Sequence, residues 1–580
     1  MYKNLSRCLF HARNFIVGTD TPDIDALSTR TPRLYFGLCI ALYVVYVMAM
    51  QPVLLFGGEM WAEMATNYYA NAGALSLVTR LFSTDAGYVP LPQRLIAQVF
   101  EILSFPASSI PFAYSWTAVL LTAAMVGSFC LSPFRRLVQS DGLRLVVSLI
   151  VLALADYETR TFINFTYFSA FFVAVLSGWA IASPKDQPIA WWAWFTPILM
   201  MSKPAVLATL PGLLLAALIS RNRRFQCLTA LAAIACGAQA LQLMLSRQHG
   251  TFAATSSVSF LEKVYAGGKY ALGYLSTYAT GMTIFVEAKT FIITGVLLSA
   301  VLIAVIIFRK RPSNALIVIG GLAIIFNMLI NAMALSDSWT SSMSQLPTPG
   351  TYRHVMVAMT GAVLLFAGFA MTLFQPAATL LSGNRSRMVV VLFGVWFVAA
   401  GWVVQAGRLN QQPVFPALNA SYWRSMAAVI DSGAPVCVPI NPLGWYFERG
   451  CSVLSHDLSW AIPLNFQSVQ LSEGTGSLKL PVPSLPGHNI LAIGIAIKPE
   501  VPGIESFSAT VVLTLKDGSS RYLTGATKLS SAGALLLVAT PTPISLEHIA
   551  FAELRVDAPV AVGRVSAADG APPALTWIGQ

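Results

Sequence analysis

The chain has 580 residues, of which 56% are hydrophobic and only 11% charged, and its mean hydropathy is +0.66. Soluble globular proteins carry about 25% charged residues, so these values exclude an ordinary soluble protein, a disordered chain and a fibrous one. The net charge of +11 indicates membrane topology, because basic residues concentrate in the cytoplasmic loops of membrane proteins. We therefore predict a polytopic α-helical membrane protein with no nucleic-acid partner.

Apolar runs long enough to cross about 30 Å of hydrocarbon begin after residues 1–33, which we expect to form a cytoplasmic segment. A shorter run over 143–157 is also predicted to span. Ser202-Lys203-Pro204 divides 189–220 into two short helices, predicted to form a hairpin. With these, we expect about eleven passages within a transmembrane region over 34–406. The clear runs are 34–56, 111–131, 162–183, 225–245, 290–308, 315–335, 353–374 and 388–406.

The short loops on one side of this layout are all basic. If the N-terminus is cytoplasmic, the positive-inside rule holds for every short inner loop. An odd number of passages then places the C-terminus outside. The outer segments include a long loop over 57–110, where "EMWAEMATNYYANAGALSLVTRLF" and "LPQRLIAQVFEILSF" read as amphipathic helices along the membrane.

After residue 406 the composition changes to short β-branched runs separated by Gly, Pro, Asp and Ser. Residues 407–470 are predicted to form a mixed connecting section, and residues 471–580 a β-sandwich or jelly roll outside the membrane. Asp517-Gly518 indicates a hairpin turn. Cys437 and Cys451 are candidates for a disulfide, with two free buried cysteines as the open alternative.

Acidic residues are scarce, so their placement is informative. Glu59 and Glu63 are four apart, on one face of an expected helix, and Asp85 follows in the same loop. Asp156 and Glu158 share a short outer turn. All five are expected at the outer membrane boundary, as a catalytic cluster or, for each residue taken alone, as hydrated loop carboxylates.

Two basic residues are placed to meet a phosphate at the same boundary. Lys203 lies in the break of 189–220, where a charge is costly and suggests function. Arg353 opens a late span, and its guanidinium suits a bidentate phosphate contact. For Arg353 the alternative is a side chain that only reaches the interface.

Five segments of the chain are informative when taken together. They are "MWAEMATNYY", "RLFSTDAGYVPLPQRLIA", "ETRTFINFTYFSAFF", "MSKPAVLATLPGLLL" and "TYRHVMVAM". These segments resemble the GT-C class of glycosyltransferases, integral enzymes that use polyprenyl-phosphate sugars, and in particular bacterial O-antigen and surface-glycan types. The chain departs from the class in two places: Glu63-Met64 stands where two acidic residues are common, and Tyr352-Arg353 reverses a related Arg-Tyr.

The resemblance implies roles for residues in these segments. Glu63 would be the general base, with Glu59 as the alternative and Asp85 as a further catalytic candidate. Lys203, Arg353 and Arg94 would bind the donor phosphate. The implied substrate-binding residues are Trp61, Tyr88, Glu158 and Asn164.

The expected function is transfer of a sugar from a polyprenyl-phosphate donor to a lipid-linked glycan, O-antigen or other envelope polysaccharide, with inversion. The expected place is the bacterial inner membrane, with the site and the C-terminal domain facing the periplasm. The partners would be the donor, the glycan acceptor, the lipid bilayer and other glycan-assembly membrane proteins. The sequence identifies no cofactor, and a divalent ion, Mg²⁺ or Mn²⁺, is left open. The alternatives are an O-antigen polymerase or ligase, a lipid-linked glycan flippase or transporter, and a non-catalytic glycan-binding scaffold.

Overall fold

A computed structural model describes residues 11–18, 30–246, 258–281, 289–334, 352–375 and 382–409, and most of 422–570. The chain divides into two compact units. The first comprises residues 1–51, 77–96 and 115–412, and the second comprises residues 52–76, 97–114 and 413–580. The long loop predicted over 57–110 is therefore shared between the two units.

Among the described residues, seven helices are long and apolar enough to cross a membrane, and a bent pair, Gly383–Ala399 with Trp402–Leu409, brings the number to eight. These eight coincide with the eight clear apolar runs of the sequence. The protein is therefore built for a membrane, although a total of eleven passages stays a prediction. The seven are Arg30–Met50, Ile110–Cys130, Phe165–Ala182, Arg223–Ser246, Lys289–Phe308, Asn314–Met333 and Met356–Phe374.

The remaining expected passages are shorter helices. The run 143–157 corresponds to Asp141–Ala153, which has 13 residues. The stretch 189–220 is broken at Lys203, as predicted, and its hairpin geometry stays a prediction. Its pieces are Trp191–Phe195, Thr196–Met200, Pro204–Thr209 and Leu210–Ser220.

Other described helices connect these spans, lie in or beside the shared loop, or, in the case of Tyr422–Asp431, follow the last span. They are Pro52–Phe56, Met64–Tyr69, Ala70–Ala72, Leu77–Phe82, Leu91–Ile102, Tyr157–Arg160, Phe260–Thr280, Tyr352–His354 and Tyr422–Asp431.

Glycines allow two spans of the first unit to approach closely. A Cβ atom added at Gly361 would lie 2.8 Å from the carbonyl oxygen of Gly320, and one added at Gly368 would lie 2.7 Å from that of Ser313. Small residues allow this kind of backbone contact between membrane helices. The helix Met356–Phe374, which begins just after Arg353, is thus held tightly against Asn314–Met333.

In the described part of the C-terminal region, two five-stranded antiparallel sheets share one apolar core. The first has the order β10-β7-β12-β3 with β4 beside β12, and the second β5-β6-β11-β8-β9. This alternation of strands between two sheets is a jelly roll, as expected, but it begins earlier than residue 471, because Cys451–Ser455 and Gln467–Ser468 belong to it. The strands of the sandwich are Cys451–Ser455 (β3), Gln467–Ser468 (β4), Leu471–Ser472 (β5), Thr475–Leu480 (β6), Asn489–Pro499 (β7), Ser506–Leu515 (β8), Ser520–Lys528 (β9), Ala534–Ser545 (β10), Ile549–Val556 (β11) and Val560–Gly570 (β12).

Side chains from both sheets alternate into that core. Val511 and Leu513 of β8 and Ile495 and Ile497 of β7 are fully buried, as expected where alternate residues of a strand face a partner sheet. Asp517 and Gly518 form the predicted turn between β8 and β9, with Gly518 at φ 83°.

A smaller hairpin, Val436–Ile440 (β1) with Trp445–Arg449 (β2), lies in the connecting section. Cys437 lies in β1 and Cys451 begins β3. The side chains of both cysteines lie outside the described part of the structure, so their disulfide stays a prediction.

Candidate functional site

Asp85 and Tyr88 form a tight turn before the helix Leu91–Ile102. Asp85 N–H donates to the Tyr88 carbonyl at 2.7 Å, and Tyr88 N–H donates to the Asp85 carbonyl at 3.1 Å. The two residues between them, Ala86 and Gly87, have φ of 46° and 83°. Positive φ at both central positions is the pattern of a type I′ turn, and it is unusual for alanine. The turn brings the Tyr88 hydroxyl to Asp85, to whose Oδ2 it donates at 3.1 Å.

Lys203 joins this turn from the helix break. Its ammonium donates to the Tyr88 hydroxyl and lies 4.9 Å from the centroid of the Tyr88 ring. Lys203 and Asp85 are each only 7% exposed. A buried charge is costly unless it has partners, and the Tyr88 hydroxyl links the two opposite charges in one chain of hydrogen bonds.

Glu158 and Arg353 form a second pair of opposite charges in the same unit. The Arg353 guanidinium donates to Glu158 Oε2, with the Arg353 side chain 35% exposed and the Glu158 side chain 9% exposed. Burial raises the pKa of Glu158, while the positive charges of Arg353 and Lys203 act in the opposite direction. Lys203 therefore lies near both carboxylates.

The turn that carries Glu158 is fixed by its own side chains. Asp156 caps the helix Tyr157–Arg160, accepting from Thr159 N–H at 2.9 Å. Arg160 is fully buried, donates to the Ala155 carbonyl and lies over the Tyr46 ring, 5.1 Å from its centroid. These contacts hold the Glu158 carboxylate toward Arg353.

Asp85, Asp156 and Glu158 are 7%, 3% and 7% exposed. The hydrated-loop interpretation of these three residues is therefore wrong. The sequence pattern marks them as loop residues, but the turns in which they lie are packed among spanning helices.

Arg94 and Asn164 are buried beside these turns. Arg94 is 1% exposed and its Nε donates to the Ser83 carbonyl at 2.8 Å, so part of its guanidinium holds the loop that carries Asp85. Asn164 is 6% exposed and begins the turn Phe165–Phe168.

Glu59, Trp61 and Glu63 belong to the second unit. Ala62 N–H donates to the Asn441 carbonyl at 2.5 Å, and Asn441 N–H donates to the Met60 carbonyl at 3.1 Å. Asn441 directly follows β1, so this part of the first loop extends the small hairpin of the connecting section. The expectation of Glu59 and Glu63 on one helix face is wrong. Glu59 precedes the helix, because the chain turns at Gly58 and Ala62, with φ of 69° and 40°.

An aromatic cluster holds the helix after Glu63 within the second unit. Tyr69 packs against Trp423 at 5.3 Å and against Phe447 at 5.7 Å between ring centroids. The Trp423 indole N–H donates to the Ala107 carbonyl at 2.7 Å. The connecting section therefore binds both parts of the first loop that belong to this unit.

Two glutamines that the sequence analysis did not single out join the loops of the first unit. Gln93 Nε2 donates to the Ile163 carbonyl at 2.9 Å and to Thr166 Oγ1 at 3.1 Å. Gln239, in the span Arg223–Ser246, contacts the backbone at Val89 and Ser202. The available signal was a polar side chain inside an apolar helix, "LAAIACGAQALQLML", since such residues generally bond to neighbouring segments.

Within the described residues, no group of three or more His, Cys, Asp or Glu side chains is arranged to hold a metal ion. The residues around Lys203 and Arg353 instead combine two cations with two carboxylates. This arrangement suits a phosphate group and a nearby proton acceptor.

Comparison with protein-family models, with curated proteins and with solved structures found no match for the chain.

Proposed function

We propose that the protein is a membrane-embedded glycosyltransferase. It transfers a sugar from a polyprenyl phosphate, with inversion, to a lipid-linked glycan, O-antigen or other envelope polysaccharide. The reaction takes place at the periplasmic face of a bacterial inner membrane, and the sandwich domain lies on that side. The sequence resemblance to the GT-C class supports the reaction, and the buried charges of the first unit support the site.

The observation that carries the proposal is the position of Lys203 near two buried carboxylates. It bonds to Asp85 through Tyr88, and its charge acts on Glu158, the partner of Arg353. Both cations lie at interruptions of membrane helices, Lys203 in a break and Arg353 before a span. A lipid-linked phosphate combines a membrane-soluble tail with a charged head, so cations at such places suit it.

In the proposed reaction the acceptor hydroxyl attacks the anomeric carbon as the bond from that carbon to the phosphate oxygen breaks. The hydroxyl proton passes to a carboxylate, and the electron pair of the broken bond leaves with the lipid phosphate. Lys203 and Arg353 stabilise the charge that develops on the leaving phosphate.

Three carboxylates are candidates for the base. Asp85 has the support of the structure, because a hydroxyl bond from Tyr88 orients it and Lys203 adjoins that bond. Glu63 and Glu59 have the support of the family resemblance. Only one of the three needs to receive the proton, so single substitutions separate them.

The test is a transfer assay with purified protein in lipid nanodiscs, a polyprenyl-phosphate sugar and a lipid-linked glycan acceptor. Substitution of the base, by Asp85→Asn, Glu63→Gln or Glu59→Gln, should lower the rate by about 10² to 10⁴-fold. Lys203→Met should lower it by about 10² to 10³-fold. Asp186→Asn is the matched control, because Asp186 is exposed in another loop.

Full transfer by all three acid variants would contradict the catalytic proposal. Surface-glycan composition in cells separates the alternatives. A glycan-binding scaffold predicts no change in composition with the acid variants. A polymerase or ligase predicts shorter or unattached chains with every sugar still present, and a flippase predicts accumulation of donor or precursor on the inner side.

A further inference from the structure

Gln239 occupies an unusual position for a glutamine in a spanning helix. Gln239 is fully buried and lies in the helix Arg223–Ser246, whose other buried residues are mostly apolar. Its Oε1 accepts from Val89 N–H at 3.0 Å. Its Nε2 donates to the Val89 carbonyl at 3.1 Å and to the Ser202 carbonyl at 2.6 Å. The amide group therefore makes three hydrogen bonds, all of them to backbone.

The two segments that it joins are far apart in the chain and adjoin the charged residues. Val89 directly follows Tyr88, and Ser202 directly precedes Lys203. A second link, from Leu91 N–H to the Met201 carbonyl at 2.9 Å, lies beside the first. Neither segment is a regular helix or strand at these points, so their backbone groups lack the partners that regular structure would supply.

We propose that Gln239 is a positioning residue, whose amide sets the Asp85–Tyr88 turn and Lys203 at the separation needed for sugar transfer. The inference rests on the proposed function for its catalytic consequence. The structural role of Gln239 is independent of that function, because its amide holds the two segments to one helix whatever the protein does.

The physical reason is the free-energy cost of leaving buried polar groups without hydrogen-bond partners. Removing the amide leaves one buried N–H and two carbonyl groups without this partner, and each costs about 1–3 kcal/mol when unsatisfied. The segments should then shift to find water or other partners. A displacement of about 1 Å among reacting groups can lower a rate by about 10²-fold.

The test uses full-length protein in nanodiscs with Gln239→Leu, Gln239→Glu and the control Gln242→Leu. Gln242 is half-buried on the same helix. Gln239→Leu should lower kcat by about 10²-fold and change KM for the donor by less than about threefold, since both phosphate-binding cations, Lys203 and Arg353, are retained. The control should keep wild-type values.

Gln239→Glu supplies a readout that a purely structural role would not give. An ionised carboxylate can still accept from Val89 N–H but cannot donate to either carbonyl group, whereas a protonated carboxyl can donate to one. Relative to wild type, kcat of this variant should rise as the pH falls through the pKa of the new carboxyl group. A profile parallel to that of wild type, or wild-type kcat in Gln239→Leu, would overturn the inference.

Hydrogen–deuterium exchange gives a second measurement that needs no activity. The Val89 amide and the peptides around 85–91 and 199–205 should exchange faster in Gln239→Leu than in Gln242→Leu. Unchanged exchange would overturn the inference directly. If the wild-type protein transfers no sugar, the proposed function fails while the exchange data still decide whether Gln239 fixes these two segments.

Discussion

The Lys203 ammonium lies against the face of Tyr88, 4.9 Å from the ring centroid, and donates a hydrogen bond to the hydroxyl of the same side chain. One tyrosine thus contacts the cation in two ways and passes a hydrogen bond on to Asp85. The ring desolvates the lysine, and the hydroxyl connects it to the carboxylate. The two contacts are separable by substitution.

Tyr88→Phe keeps the ring and removes the hydroxyl. A hydrogen bond to a charged group contributes about 1.5–3 kcal/mol, so kcat/KM for sugar transfer should fall by about 10 to 100-fold. Tyr88→Leu should fall further, because it also removes the cation–π contact. Equal activity of Tyr88→Phe and wild type in the nanodisc assay would show that the hydroxyl link has no catalytic role.

The raised pKa of Glu158 predicts a pH dependence of donor binding. Burial favours the neutral carboxyl group, so Glu158 takes up a proton at a pH above its ordinary pKa of about 4.3. Protonation of Glu158 removes a negative charge that competes with a phosphate for Arg353. Affinity for a polyprenyl phosphate should therefore rise as the pH falls through the raised pKa of Glu158.

Glu158→Gln is the matched control for that prediction, because its amide is neutral at every pH. Binding measured by microscale thermophoresis should be tight in this variant and should lack the pH-dependent change that Glu158 causes in the wild type. Weaker binding at low pH in the wild type would contradict the prediction.

The contribution of Glu158 to stability has the same pH dependence as the predicted donor binding. The folded state holds the Glu158 proton more tightly than the unfolded chain, so this group favours folding most at low pH and loses that contribution as the pH rises through its raised pKa. The apparent Tm of wild type relative to Glu158→Gln should therefore fall as the pH rises through the raised pKa of Glu158. A constant difference in Tm as the pH rises would show that Glu158 titrates normally.

Trp423 should govern the stability of the second unit. It is fully buried, packs on Tyr69 and Phe447, and bonds to Ala107. Trp423→Ala should cost about 3–5 kcal/mol and expose residues 52–76 and 97–114 to protease, as measured by limited proteolysis. Trp191→Ala is the control, because Trp191 is 75% exposed. Equal cleavage of the two variants would show that the aromatic cluster does not hold the loop.

The predicted bond between Cys437 and Cys451 has a direct test. Labelling of the denatured protein with a maleimide should detect two more thiols after reduction than before it. The double variant Cys437→Ser, Cys451→Ser is the control and should show no such increase. Equal labelling of wild type with and without reductant would exclude the disulfide.

The spanning helices could be predicted from the sequence because each is an apolar run with charges at its ends, as in Lys289–Phe308. The jelly roll could be predicted because its strands are short, β-branched and separated by turn residues such as Asp517-Gly518. Both signals are local. The break at Lys203 was visible for the same reason, since Pro204 follows it and a proline is well placed at the first position of a helix.

The contacts of the candidate site could not be predicted in this way. Asp85 and Lys203 are linked by contacts between distant parts of the chain: Tyr88 bonds to both, and Gln239 bonds to the backbone beside each. The burial of Asp156 and Glu158 depends on helices from distant parts of the chain. The helix that was expected to include Glu59 and Glu63 does not include Glu59. Trp61 pairs instead with Asn441, and this long-range backbone contact overrides local propensity.

That pairing has a consequence in time. Trp61 and Asn441 are separated by roughly 380 residues, and a ribosome adds about 5–20 residues each second. The acidic part of the first loop is therefore made some 20 to 80 seconds before the strand that it pairs with. During this interval the loop lacks its contact with Asn441 while the intervening helices are made. A protein assembled in this order acquires the contacts of its first loop only after the described spanning helices have been made.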